Sequence, residues 1–277
     1  MLAIVAHRRH GTNAQLAERG DAVVLAPRTA AELLEPGDLA LGRLDVLPSL
    51  EGVQPGLSSL RRLAEAGVHV LNDAHALRAM HDKLITAFRL RAAGVPQPRT
   101  GYLPPGSDGR NVALPAVVKP RYGSWGRHVY RCTTRQELLD ALRVLRGETW
   151  FRHQGALLQE LVPPRGHDLR VLVAGGEIVG AVRRHAAPGE WRTNISLGGT
   201  RDPVRPDAVA RTLALRAAAA VRADLVGVDL LPVGAGWTVL ELNGAVDFTA
   251  QYSFGGEDVF ERAMDGVRAA VASAAAA

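Results

Sequence analysis

The chain has 277 residues, of which 47% are apolar, 22% charged and 5% aromatic. That balance excludes a disordered or collagen-like polypeptide and is enough to bury a core in two modest domains, or one domain with an added lobe. No apolar run approaches the roughly 18 residues of a membrane span. The first apolar run, Leu2 to Ala6, has no basic leader and no small-residue cleavage site, so the expected compartment is the cytoplasm, with no membrane partner. Cys132 stands alone, which excludes an internal disulfide framework and a cysteine-based zinc site. The net charge is +5, but the basic residues are scattered and form no arm or stripe, which argues against nucleic acid as a partner. Of the 33 basic residues only Lys83 and Lys119 are lysine. A chain that otherwise writes arginine, yet keeps a compact ammonium twice, draws attention to those two positions.

In chain order, Leu2–Ala6, Ala22–Ala26, Asp38–Gly42 and Val68–Leu71 read as strands. Asn13–Arg19, Thr29–Leu34 and Ser58–Ala66 read as helices between them, the second opened by a Thr29-x-x-Glu32 capping box. Such alternation predicts a parallel sheet covered by helices. No G-x-G-x-x-G follows the first strand, but the turn from His7 to Asn13 leaves its carboxyl end, where open α/β sheets bind ligands. That turn reads equally as a solvated basic loop. Ala74–Ala93 reads as one helix, stopped by Gly94-Val95-Pro96-Gln97-Pro98. Strands follow at Thr100–Leu103, Ala116–Lys119, His128–Cys132 and Leu157–Leu161, with a helix capped by Thr134-x-x-Glu137 running to Leu145. The last third holds strands at Leu169–Val173, Glu177–Arg183, Leu225–Leu231 and Thr238–Leu242, and helices at about Asp207–Arg222 and Glu257–Ala274. Gly175-Gly176 and Gly234-Ala235-Gly236 predict hairpin turns, so this part is antiparallel in places.

Two constellations carry chemistry. Lys119 ends an apolar strand and is followed by Pro120-Arg121-Tyr122-Gly123-Ser124-Trp125-Gly126-Arg127, a glycine-bearing loop between strands. It is not a Walker loop, and reads either as an ordinary hairpin or as backbone N–H groups folded over phosphates, with lysine as the point charge. Downstream, Glu241 and Asn243 lie two apart on one strand and so share a face, which Asp229 on a neighbouring strand can join. This all-oxygen set suits Mg²⁺ or Mn²⁺, the alternative being the polar face of an amphipathic strand pair. Between them, Arg170 and Arg192, with Asn194, could neutralise charge on a transferring phosphoryl group or decorate the surface.

The order of these pieces resembles the ATP-grasp carboxylate–amine ligases of the RimK/LysX branch over nearly the whole chain. His81-Asp82-Lys83-Leu84 with Ala93-Gly94-Val95-Pro96 resembles the branch's D-K helix and its exit. Val118-Lys119-Pro120 with Gly123-Ser124-Trp125-Gly126-Arg127 resembles its phosphate loop, and Leu158-Gln159-Glu160-Leu161-Val162 its adenine strand. Gly166-His167-Asp168-Leu169-Arg170, Arg192-Thr193-Asn194 with Gly198-Gly199, Gly227-Val228-Asp229 and Glu241-Leu242-Asn243 resemble the remaining segments. The resemblance implies an α/β (α+β) ATP-grasp fold: a Rossmann-like pre-ATP-grasp domain over residues 1–75, a small lobe with the phosphate loop over 76–162, and a large lobe with the metal site over 163–277.

Carried over position by position, the resemblance implies that Lys83 and Lys119 hold the phosphates of ATP and that the loop Gly123, Ser124, Trp125, Gly126 and Arg127 closes over them. It implies that Gln159, Glu160, Leu161 and Val162 line adenine, with Asp168 near the ribose. Asp229, Glu241 and Asn243 would hold Mg²⁺ or Mn²⁺. Arg170 and Arg192 would act catalytically on the phosphoryl group, with Asn194 beside the phosphates. The implied reaction is phosphorylation of a carboxylate by ATP, then attack of an amino-acid amine to give a peptide-like bond, ADP and phosphate, with no side-chain nucleophile. A homo-oligomer is implied as well. After the metal asparagine the chain reads Gly244-Ala245-Val246-Asp247-Phe248. LysX-like chains carry N-H-T-M-E-F there and RimK-like chains N-A-S-P-G, so Phe248 fits the former with Asp247 in place of glutamate. An acidic carrier protein's C-terminus is then the expected carboxylate, which the basic surface would suit. The alternative within the class is a glutamate ligase acting on a ribosomal protein or a cofactor. From another class, a nucleotide-binding module without turnover competes.

Overall fold

The computed structural model describes residues 1–123 and 125–275. The first unit runs β1 (Leu2–Val5), α1 (Thr12–Arg19), β2 (Val23–Leu25), α2 (Pro27–Leu33), β3 (Leu39–Gly42), α3 (Leu57–Glu65) and β4 (His69–Leu71). The strands form a parallel sheet in the order β2-β1-β3-β4, as short apolar runs alternating with helices require. The expected Thr29/Glu32 capping box does not form. Pro27 sits at the first helical position with Ala26 as N-cap, so the helix starts earlier and Thr29 falls inside its first turn.

The helix expected over Ala74–Ala93 is two helices, α4 (Ala74–His81) and α5 (Lys83–Ala92), broken at Asp82 with φ −85° and ψ 99°. Asp82 is fully buried; it caps α5 by accepting from the Leu84 N–H and also accepts from Arg121 Nε at 3.2 Å and Tyr122 Oη at 3.0 Å. These partners outside the helix override a locally helical sequence.

The second unit comprises β5 (Thr100–Leu103), β6 (Ala116–Lys119), β7 (Tyr130–Cys132), α6 (Arg135–Leu145), α7 (Thr149–Gln154) and β8 (Ala156–Glu160). Its sheet is antiparallel in the order β5-β8-β6-β7. The Thr134/Glu137 capping box is present in full. β7 starts later than expected because His128 takes a left-handed φ of 54°. The unexpected α7 buries Trp150 and Phe151 in one cluster with Leu138 and Leu142 of α6, a core that also takes in Leu50 from the loop before α3.

The third unit holds β9 (His167–Ala174), β10 (Glu177–His185), β11 (Thr200–Pro203), α8 (Ala208–Val221), β12 (Leu225–Val233), β13 (Gly236–Asn243) and α9 (Val259–Ala275). Its strands form an antiparallel sheet in the order β11-β10-β9-β12-β13. Gly175 turns the β9–β10 hairpin at φ 56°, and a Cβ there would stand 2.1 Å from the Gly266 carbonyl oxygen of α9. Strand β11 has no apolar pattern, and it pairs only along the edge of β10. Helix α8 lays Ala210, Ala214, Ala217 and Ala218 on the sheet, small residues that permit close approach. One continuous apolar cluster joins Val5, Leu60 and Leu77 of the first part of the chain to Val171, Val228 and Val239 of the last. No helix among the described residues is long and apolar enough to cross a membrane.

Candidate active site

Strand register aligns the chemistry-bearing side chains on one face of the five-stranded sheet. Arg184 stands opposite Asp168, and Arg170 stands opposite Asp229, which itself stands opposite Glu241. The register shifts just past Asp229, and Asn243 follows Glu241 by one pleat. Asp229 and Asp168 are each 1% exposed, so both must be paired. Arg170 donates through Nε and Nη2 to the two oxygens of Asp229, both at 2.7 Å. Arg184 donates to Asp168 Oδ1 at 2.8 Å and to Asp229 Oδ2 at 2.9 Å, while Thr193 Oγ1 donates to Asp168 Oδ2 at 2.6 Å. Burial alone would raise the pKa of Asp229, but Arg170 and Arg184 outweigh it and hold the carboxyl below its usual range.

The two lysines meet above this face. Lys119 ends β6, is 5% exposed, and is lowered to a pKa of about 8 by burial, with Lys83 adding to the shift and Glu241 opposing it. Lys83 opens α5 because Asp82 breaks the helix before it. Its Nζ donates to the Gly123 carbonyl at 2.6 Å and lies 3.9 Å from Glu241 Oε2.

The glycine-bearing loop is strapped to the large sheet. Trp125 takes φ 65°, and Gly126 takes φ 70° where a Cβ would stand 2.9 Å from Asn194 Oδ1. Arg192 Nη1 donates to the Gly126 carbonyl at 2.7 Å, and Ser196 Oγ donates to the Trp125 carbonyl at 3.2 Å. Arg192 is itself held by Glu190, whose carboxyl is pulled down to about 2 chiefly by that guanidinium. Ser124 lies outside the described residues. From the first unit, Arg8 lies 5.9 Å from the Trp125 ring centroid and 4.0 Å from Asp247.

Two adjoining cavities result. The first is lined by Lys83, Lys119, Gly123, Trp125, Gly126, Arg127, Gln159, Glu160, Leu161, Val162, Asp168, Arg192, Asn194, Asp229 and Glu241. These are fifteen of the eighteen residues singled out from sequence. Arg170 and Asn243 line the second cavity, which shares Lys83, Gly123, Trp125, Arg184, Asn194 and Glu241 with the first. Gln159 turns its amide to Thr100 Oγ1, and Glu160 pairs with Arg99 at 3.0 Å.

The donor set fits a hard cation in part. Among the described residues Glu241 pairs with Lys83 at 3.9 Å, and Asn243 beside it has a buried Nδ2 without a hydrogen-bond partner. Both oxygens of Asp229 already accept from guanidiniums. No group of three His, Cys, Asp or Glu side chains with metal-ligand placement occurs among the described residues, so a cation held by the Glu241 and Asp229 carboxylates would also need the asparagine and phosphate oxygens.

Sequence reasoning missed Arg184, the residue that unites both buried aspartates, because nothing in its local pattern separates it from the other arginines. It also missed Asp82's tertiary role. In the turn from His7 to Asn13, Asn13 accepts from Arg43 at 2.6 Å and donates to the Arg8 carbonyl at 2.9 Å, so that residue is structural.

A sheet face of paired carboxylates and guanidiniums beneath two lysines, with a glycine loop strapped to it, is the arrangement to be set beside known proteins. The RimK-like ATP-grasp domain model matches residues 108–262, and the chain belongs to that family. A probable alpha-L-glutamate ligase of Serratia proteamaculans is 33% identical over 219 residues, covering 76% of this chain and 71% of its own. The glutamate–LysW ligase ArgX of Sulfurisphaera tokodaii is 29% identical over 229 residues, covering 77% of this chain and 78% of its own. A RimK-domain ATP-grasp protein of Sphaerobacter thermophilus has the same fold, with a TM-score of 0.68 at 22% identity, over 96% of this chain and 99% of its own. The protein is an ATP-dependent carboxylate–amine ligase of this family.

Proposed function

We propose that this ligase joins the amine of L-glutamate to a carboxylate at the C-terminus of an acidic carrier protein. Glutamate is the word shared by the names of both relatives described above, and the sequence after Asn243 with the net charge of +5 favours a protein carrier. The observation that carries the reading is the gathering of Lys119, Lys83 and Glu241 in the first cavity, with Lys83 and Glu241 also lining the second.

In this reading Lys119 and Lys83 hold the phosphates of ATP, and the loop from Gly123 to Arg127 covers them, braced by Arg192. Leu161 and Val162 give adenine an apolar wall, while the Gln159 and Glu160 side chains stay with Thr100 and Arg99. Glu241 and Asn243, with the remaining lone pairs of Asp229, hold Mg²⁺, which when bound supplies charge neutralisation for phosphoryl transfer. Arg170 and Arg184 keep Asp229 ionised and fixed, so their part is positioning. The acceptor carboxylate takes the phosphoryl group where the cavities meet. The amine then attacks the acyl carbon, the C–N bond forms and phosphate leaves.

The test is ATP turnover with Mg²⁺, separating ADP from AMP, across the twenty amino acids with and without a fractionated cell extract. ADP release that needs L-glutamate and one protein-containing fraction is the expected result. AMP release would overturn the acyl-phosphate route. Dependence on a small-molecule fraction would move the acceptor to a cofactor.

A further inference from the structure

The second cavity carries a charge that the protein itself leaves unanswered. Lys83, Arg170, Arg184 and Arg201 all line it. Lys83 faces Glu241, Arg170 is bidentate on Asp229, and Arg184 bridges Asp168 and Asp229. Arg201 has no carboxylate partner among the described residues. Its placement is nevertheless built. Edge strand β11 sets Arg201 directly opposite Arg184, so both side chains leave the same face of the sheet. Its Nε donates to Gln251 Oε1 at 2.6 Å, and its guanidinium lies 5.8 Å from the Tyr252 ring centroid. Those contacts fix the plane of the guanidinium while Nη1 and Nη2 keep no hydrogen-bond partner among the described residues. That pair of donors is the fork that grips a carboxylate at two points.

The two cavities differ in what they share. Lys83, Asn194 and Glu241 line both, so the carboxylate that receives the phosphoryl group belongs at the shared wall. Arg201 lines the second cavity and not the first, and so do Asp45 and Asp247. A carboxylate held at Arg201 is therefore not the one being phosphorylated. An amino acid brings a carboxylate that suits this open guanidinium, and an amine that can extend from it to the shared wall.

We propose that Arg201 is the specificity-determining residue for the incoming amino acid, gripping one of its carboxylates in the second cavity so that the amine faces the shared wall. The inference rests on the ligase reading given above. Its test compares L-glutamate with its two monoamides, L-glutamine and L-isoglutamine, as amines in ADP release with the active extract fraction, for wild type, Arg201→Met and Arg201→Lys. Thermal midpoints and the KM for ATP serve as checks on folding and on the nucleotide cleft. Wild type should discriminate against at least one monoamide. Arg201→Met should raise the KM for L-glutamate by roughly 10- to 100-fold and erase that discrimination, and Arg201→Lys should restore part of it, with the KM for ATP unchanged in both. The proposal is overturned if Arg201→Met keeps the discrimination, if wild type uses both monoamides as well as L-glutamate, or if the variant lowers kcat for all three amines alike. A wild-type protein that releases no ADP in response to any amino acid removes the ligase reading itself, an outcome visible before any variant is made.

Discussion

Arg184 on β10 reaches across β9 to Asp229 on β12, with Nη2 2.9 Å from the carboxylate, while Nε of the same guanidinium holds Asp168 at 2.8 Å. One buried cation thus links three strands through two buried anions. Removing Arg184 leaves buried Asp168 with the Thr193 hydroxyl and no cation among the described residues, and leaves Asp229 to Arg170. Arg184→Met should lower the unfolding free energy by about 3 to 5 kcal/mol, the usual cost of breaking a buried pair from one side. Urea unfolding followed by circular dichroism measures this; a loss below about 1 kcal/mol would mean that water or Arg170 takes over the role.

Lys119 makes nucleotide binding a proton-linked event. Burial and Lys83 lower its pKa to about 8, and the arrival of polyphosphate must raise it again. The bound state then holds more protons than the free state, so affinity for Mg-ATP falls as pH rises above about 8, by up to roughly tenfold per pH unit. Calorimetric titration at pH 8 in two buffers of different ionisation enthalpy should show proton uptake in the wild type and none in Lys119→Arg.

His81 links stability to pH in the acid range. Its Nε2 is buried without a hydrogen-bond partner among the described residues, and burial, with Lys83 nearby, lowers its pKa from 6.5 to about 4. The folded protein keeps the ring neutral while the unfolded chain protonates it below 6.5, so the unfolded state binds the extra proton. The protein should therefore lose up to about 3 kcal/mol of stability from this group as pH drops from 6.5 to 4. His81→Gln should flatten that part of the stability profile, and an unaltered slope would assign the acid sensitivity to other groups.

How much of this was legible beforehand follows from the range of each interaction. The pleat period alone placed Glu241 and Asn243 on one face, and the scarcity of lysine pointed to Lys83 and Lys119, which both line the first cavity. The break at Asp82 was not legible, because both flanks favour helix and the deciding partners, Arg121 and Tyr122, come 39 and 40 residues later in the chain. Strand β11 was hidden for a different reason. An edge strand with the sequence Thr-Arg-Asp-Pro owes its conformation to hydrogen bonds with β10 and shows no apolar alternation. Arg184 and Arg201 were invisible among so many arginines, since only cross-strand register distinguishes them.

Glu241 separates catalysis from folding more cleanly than Asp229 does. Its side chain is 22% exposed and its ion pair with Lys83 spans 3.9 Å, so neutralising it should cost the fold less than about 1 kcal/mol. In the proposed reaction it is the carboxylate free to meet the divalent cation and the phosphoryl group. Glu241→Gln should therefore leave the urea midpoint nearly unchanged and reduce ADP release by roughly 100-fold or more. Raising the Mg²⁺ concentration should recover part of the loss in Glu241→Gln, because the missing charge weakens the hold on the cation without removing the site. If turnover survives the substitution at low Mg²⁺, the cation is held by Asn243 and phosphate oxygens alone. If the fold collapses with it, Glu241 belongs to the same structural network as Asp229.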